Sequence, residues 1–305
     1  MDGVESAAKG LDFMAEDRRA MRWRKILRKL IENKSAVFGL IMVLGVIFSA
    51  VFAPVISPHD PILQDVEKRL MPPLGQEGAD PHFLLGTDHL GRDIVSRLIY
   101  GARISIVVSV SAVALSAILG TLIGLFSGFY GGKVDNIFMR LADVQLAFPF
   151  ILLAIAIIAV LGPNLQNIVI VMGITGWVIY ARVVRAEVLS LREKEFITSV
   201  KALGGSNGRI IFKHLLPNVI PSIIVIVTLE MARMIIMEAA LSFLGLGIQP
   251  PTPTWGGMLA DGRVYLATSW WLATFPGFVI MLVVLGINLL GNWLRDMLDP
   301  RLTQL

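Results

Sequence analysis

The sequence predicts an all-α integral membrane protein with six transmembrane helices and both termini in the cytoplasm. Three observations lead there. The 305-residue chain is 55% hydrophobic and only 16% charged, with a mean hydropathy of +0.72, whereas soluble domains carry about 25% charged residues. Its uncharged stretches reach the roughly 20 residues that a helix needs to cross a bilayer while satisfying its own backbone hydrogen bonds. Its Lys and Arg residues, finally, gather on alternate loops, as in chains whose basic loops stay in the cytoplasm. A soluble enzyme, a disordered chain and a DNA-binding domain all fit this composition poorly.

Residues 1–34 are polar and basic and read as a cytoplasmic tail with no cleavable signal. Within it, Arg18 to Lys34 has Met21, Ile26, Leu27, Leu30 and Ile31 near one face. This is either an elbow helix lying in the membrane interface or a basic flank that fixes topology. The first span, residues 35–56, is the uncharged run Val37 to Ile56, an uncleaved signal anchor. An extracytoplasmic loop, residues 57–100, follows. It is stiffened by Ser57-Pro58, Asp60-Pro61, Met71-Pro72-Pro73 and Asp80-Pro81, and its charges of both signs predict a folded, hydrogen-bonded cap.

Residues 101–295 hold five more spans. The uncharged run Ile104 to Gly132 is the second. Val144 to Ala181 is too long for one span and is interrupted by Gly162-Pro163-Asn164. It divides into a helix ending near Leu161 and another from about Asn167 to Val184. The fifth starts at Leu215 and continues past Glu230, Arg233 and Glu238 to Leu244, and the sixth lies within Val264 to Leu294. Residues 296–305 form a cytoplasmic tail. With this arrangement most of the 27 Lys and Arg residues fall inside, which also accounts for the net charge of +4 without a polyanionic partner.

Catalytic signatures are missing from the sequence. It contains no G-x-x-x-x-G-K-[ST] phosphate loop and no H-E-x-x-H. His59, His82, His89 and His214 have no metal-ligand spacing, and with no cysteine there is no thiolate ligand, nucleophile or disulfide. Two other features point to function. Glu230, Arg233 and Glu238 fall within one broad face of the fifth span. Ionisable groups in hydrocarbon are expensive, so they either line a translocation path or, for Glu230 and Arg233, form a structural ion pair. Gly120, Gly124 and Gly128, four residues apart, read as a helix-packing stripe.

The second feature is the cytoplasmic loop at about 185–217. It predicts a helix from about Glu195 to Leu203 with its acid at the N-terminus. Gly204 stands at a left-handed C-cap, and a second short helix runs towards Pro217. A structure this regular on the cytoplasmic face suits docking of a soluble partner through Glu195, Thr198, Ser199, Val200, Ala202, Leu203, Gly204, Ser206 and Arg209.

This loop is similar to the EAA loop of ABC importer permeases. The Glu-Ala-Ala triplet of that pattern falls on Thr198-Ser199-Val200, all three of which depart from it, while Gly204 and Leu216-Pro217 match. Three further blocks resemble dipeptide and oligopeptide permeases, in particular the second of the two permease subunits. The first runs through Leu85-Gly86-Thr87-Asp88, Gly91-Arg92-Asp93 and Ser96-Arg97 to Gly101-Ala102-Arg103-Ile104-Ser105. The next is Leu241-Ser242-Phe243-Leu244-Gly245-Leu246-Gly247 with Gln249-Pro250-Pro251-Thr252-Pro253 and Trp255-Gly256. The last is Gly291 to Arg301, with Asn292 in the place of an expected Asp.

The resemblance implies a type I ABC importer permease fold in a prokaryotic plasma membrane. It implies as partners a homologous second permease, two ABC ATPase subunits, an extracytoplasmic binding protein and the bilayer, with no nucleic acid. This chain would hold no cofactor, since ATP and Mg would be bound by the ATPase subunits. Peptides are the expected cargo. Nickel chelates, glutathione or oligosaccharides are alternatives within the class, and a stand-alone channel or proton-coupled carrier is the alternative from another class.

Overall fold

The computed structural model describes residues 26–298. It is helical throughout its spans, and among the described residues the only β-type pairing is an isolated bridge between Thr87 and Asp93. Among the described residues, five single helices are long and apolar enough to cross a membrane, and one bent pair makes a sixth span when counted as one. Residues 18–25 of the expected elbow helix lie outside the described residues, as does the tail from residue 299. Residues 26–32 are helical, with Leu27 and Ile31 exposed.

Helix α1 (Lys34–Val51) is capped by Asn33, whose side chain accepts from the Ala36 amide at 3.0 Å. It leans on the last helix at Gly39, where a Cβ would meet the Gly286 carbonyl at 2.6 Å. Phe38, Ile41, Leu44, Ile47 and Phe48 stay uncovered by protein, the aspect of a span that meets lipid or another subunit.

Helix α2 (Ile94–Tyr130) has 37 residues and rises about 55 Å, well beyond a hydrocarbon core of about 30 Å. The sequence places this span from Ile104 and ends the preceding loop at residue 100. The helix instead begins at Ile94, because Asp93 caps it by accepting from the Ser96 amide at 2.9 Å. Its first turns are polar because they belong to the cap formed by the preceding loop, where Arg97 is buried. Further along, Gly120, Gly124 and Gly128 meet the backbone and side chains of Trp177, Tyr180, Ala181, Val184 and Val188. A methyl group at any of the three would force the two helices apart, so this stripe packs the core of the bundle.

The third span departs most from the sequence reading. Helix α3 (Gly132–Leu146) and helix α4 (Phe150–Leu161) meet at 90°. Pro149 lacks the amide that would continue α3, and α4 alone rises only about 18 Å. Helix α5 (Leu165–Leu191) is capped by Asn164, which accepts from the Asn167 amide at 2.8 Å.

On the cytoplasmic side of the predicted topology, helix α6 (Glu195–Ala202) follows. The expected second short helix is not separate. A turn at Asn207–Arg209 and one π-helical turn at Ile210–Leu215 pass directly into helix α7 (Leu216–Phe243). The wider turn fits the start of a span whose Pro217 and Pro221 have no amide to donate. Helix α8 (Trp255–Gly262) is a short helix that the hydropathy pattern does not predict, and helix α9 (Trp271–Leu298) completes the bundle seven residues after Val264. The interior is shared: α2 and α7 contribute to the apolar clusters against α1, α8 and α9 on one side and against α4 and α5 on the other.

Candidate functional site

The cap, external in the predicted topology, is held by buried charge. Asp88 accepts from the Leu90 and Arg92 amides at 2.8 and 3.0 Å and from Arg92 Nε at 2.6 Å, and Arg97 Nε lies 3.4 Å away. Both guanidinium groups also face Asp261 of α8, at 3.6 and 3.9 Å. The side chains of Asp88, Arg92 and Arg97 are less than a tenth exposed. Two indoles tie the assembly down, Trp255 donating to the Leu98 carbonyl at 3.0 Å and Trp271 to the Thr87 carbonyl at 3.3 Å. Residues 57–93 therefore fold onto the ends of α2, α8 and α9. Asp261 and α8 carry no sequence signal of their own, since a lone acid between apolar runs looks like any loop residue.

The α6 loop is built the opposite way. Ile197 is fully buried against Val184, Val188, Ile210, Ile211 and Leu215, and Val200 packs beside it. These side chains fasten α6 to the ends of α5 and α7. Gly204 ends the helix at φ +78°, with open space around it, so its role is conformational. Ser206 caps the next turn, accepting from the Arg209 amide at 3.4 Å.

The outer surface of this loop makes no side-chain hydrogen bond or ion pair to the other spans among the described residues. Thr198 and Ser199 donate their hydroxyls to the Glu195 carbonyl at 2.9 and 2.8 Å, so neither projects a free donor. Glu195, Ala202, Gly204 and Arg209 are exposed, Phe196 is 40% exposed and Leu203 is 87% exposed. Leu203 and Phe196 are thus the exposed large apolar side chains of this loop.

The three ionisable residues of α7 do not share one environment. Glu238 is buried and accepts from Ser242 at 2.8 Å and from Ser105 of α2 at 3.1 Å, which places it between helices. Glu230 is buried as well, and its oxygens accept from Arg233 Nη1 at 3.2 and 3.3 Å. Arg233 itself opens into a cleft, with its guanidinium carbon 5.3 Å from the centre of the Phe150 ring. Only one of the three therefore faces open space. Gln145 fixes the bend beside it, donating to the Thr175 carbonyl at 2.5 Å and accepting from Trp177 Nε1 at 2.8 Å. Phe150, Gln145 and Arg182, which line or brace this cleft, escape the sequence reading. Pro149 in an uncharged run is the signal that marks the bend.

Comparison with known proteins gives concordant matches. A family model described as the binding-protein-dependent transport system inner membrane component matches residues 120–304. Another, the N-terminal TM domain of oligopeptide transport permease C, matches residues 22–73. The chain is 48% identical over 280 residues to the dipeptide transport system permease protein DppC of Alkalihalophilus pseudofirmus, covering 92% of this chain and 90% of that protein. It is 45% identical over 279 residues to a di/tripeptide transport system permease of Pseudomonas aeruginosa, covering 92% of each. With the oligopeptide transport system permease OppC of Bacillus subtilis the identity is 40% over 280 residues, covering 92% of this chain and 90% of the other.

Proposed function

The chain belongs to the family of binding-protein-dependent transport system inner membrane components, as a multi-pass permease of the inner membrane, and we propose that it is one permease subunit of an importer for di- and oligopeptides. The names of its relatives point to that cargo. In this reading a homologous second permease completes the path and an extracytoplasmic binding protein delivers the peptide. Two separate ATPase subunits bind and hydrolyse ATP with Mg, and both termini of this chain are cytoplasmic.

The observation that carries the coupling role is the contrast within α6. Ile197 anchors the helix to α5 and α7, while Leu203, Phe196 and Glu195 face outward. A helix held rigidly on one side and open on the other transmits displacement. When the ATPase subunits close on ATP, α6 carries the movement to the roots of α5 and α7, and the bundle passes between inward- and outward-open arrangements. The chain works by favouring one arrangement over the other as its partners change state.

The test is purification of the tagged chain from membranes with its partner subunits, followed by ATPase and uptake assays with peptides and the binding protein. Peptide-stimulated hydrolysis coupled to uptake is the expected result. A chain that purifies alone and still moves solute in liposomes would contradict it.

A further inference from the structure

Arg233 lies slightly past the midpoint of the 28-residue α7. The neighbouring Met234 side chain abuts Gly176, well inside α5, so this level is deep in the bundle. Its side chain is nevertheless 43% exposed, whereas that of Glu230 is 7% exposed. A guanidinium facing lipid at this depth is strongly disfavoured. The open side of Arg233 therefore faces water or another protein group.

The space it faces is a cleft of about 470 Å³ at the α3–α4 bend, lined by Gln145, Phe148, Phe150, Thr175, Arg182 and Arg233 among others. This lies within the usual size of small-ligand sites. Two of its polar members are committed elsewhere: Gln145 to α5 as described, and Arg182 to Asp143 at 2.5 Å. Arg233 is different. Nη1 is held by Glu230 from behind and the ring of Phe150 lies beneath, while Nε and Nη2 have no hydrogen-bond partner among the described residues. Glu230 and Phe150 thus fix the plane of the guanidinium and leave one edge unused. A planar, pre-oriented pair of N–H donors matches a carboxylate in bidentate geometry, and the flanking Phe148, Phe150 and Leu153 offer apolar surface to the side chains beside it.

We propose that this cleft is a cargo subsite in which Arg233 receives the free C-terminal carboxylate of a peptide in transit. The inference rests on the peptide-importer reading above. Arg182, already neutralised by Asp143, shapes the rim, and Glu230 positions Arg233. A carboxylate of the second permease in the same place is the competing occupant, and the experiment separates the two.

The complete complex in liposomes is supplied with saturating binding protein loaded with alanyl-alanine or with its C-terminal amide. The maximal uptake rates are compared, which removes the binding protein's own preference. The wild type is expected to transport the acid faster than the amide. Arg233→Gln is expected to reduce that preference about tenfold, the scale of one lost charge-assisted hydrogen bond. Arg233→Lys, which keeps the charge but loses the fork, should fall between them. An unchanged acid-to-amide ratio, or equal loss of both rates, overturns the subsite in favour of a structural or inter-permease ion pair. Failure of both variants to assemble does the same. If the wild type moves neither peptide with ATP, the importer reading itself fails and takes this inference with it.

Discussion

The cap before α2 and the α6 loop are both ordered connections between spans, yet they are stabilised by opposite means. The cap turns its charges inward: Asp88, Arg92 and Arg97 are buried and satisfy one another, with Asp261 closing the cluster from α8. The α6 loop turns apolar side chains inward, Ile197 with Val200 beside it, and leaves its outer face open among the described residues. A buried ion cluster makes a rigid, self-sufficient lid, because breaking it strands a charge without water. In the proposed function, this apolar anchor makes α6 a lever whose other face receives a partner. The difference teaches where the chain is finished and where it is a component.

Breaking the cap should have the largest effect on stability. Asp88→Ala leaves Arg92 and Arg97 buried with a more distant acid, and a loss of about 3–5 kcal/mol is expected. Thermal unfolding of the purified chain in detergent should show it, together with a poor yield of assembled complex. A cap variant as stable as the wild type would mean that the cluster is merely surface charge.

Removing the lever's anchor comes next. Ile197→Ala should cost about 2–4 kcal/mol locally. Hydrogen exchange is expected to rise in α6 and the turn after it while α2 and α5 stay protected. Gly204→Val is smaller in stability, about 1–2 kcal/mol, because only the left-handed backbone is strained and no neighbour is displaced. Its functional effect is larger than that figure, since it re-aims Leu203: ATP hydrolysis and peptide uptake should come uncoupled, read as the ratio of ATP spent to peptide moved. Normal coupling in this variant would remove α6 from the mechanism.

Leu203→Ser should change the stability of the isolated chain least of all, because 87% of the residue is already exposed. Its expected effect is confined to assembly, with affinity for the ATPase subunits falling about tenfold as one buried leucine contact is lost. Destabilisation of the free chain would show instead that the side chain packs within the protein.

Much of this arrangement is legible in the sequence because the bilayer imposes long apolar runs and because Gly204 has a conformational reason to be glycine. The glycine stripe of α2 also reads correctly as packing, since spacing four is the geometry of a helix face. Where the reading falls short, local and tertiary effects compete. Helix α2 starts at Ile94 because the Asp93 cap and a buried ion cluster allow Arg97 inside, while hydropathy sees a charge and stops. The 90° turn between α3 and α4 hides in an uncharged run, where only Pro149 marks it. Glu230, Arg233 and Glu238 share a helix face within broad limits. Which of them points into open space depends on Ser105, Phe150 and the bend, and none of these is near them in the chain.

The central claim, that α6 is the contact through which ATPase subunits drive this permease, can be tested most directly with a thiol. The chain has no cysteine, so Leu203→Cys gives a single reactive site at the tip of the loop. In the assembled complex, oxidation or a short bifunctional reagent should join this position to an ATPase subunit bearing one cysteine in its groove. Nucleotide should change the yield, and a maleimide should label the site more slowly than in the free chain. Full maleimide labelling in the active complex, with no cross-link under any nucleotide condition, would contradict the account.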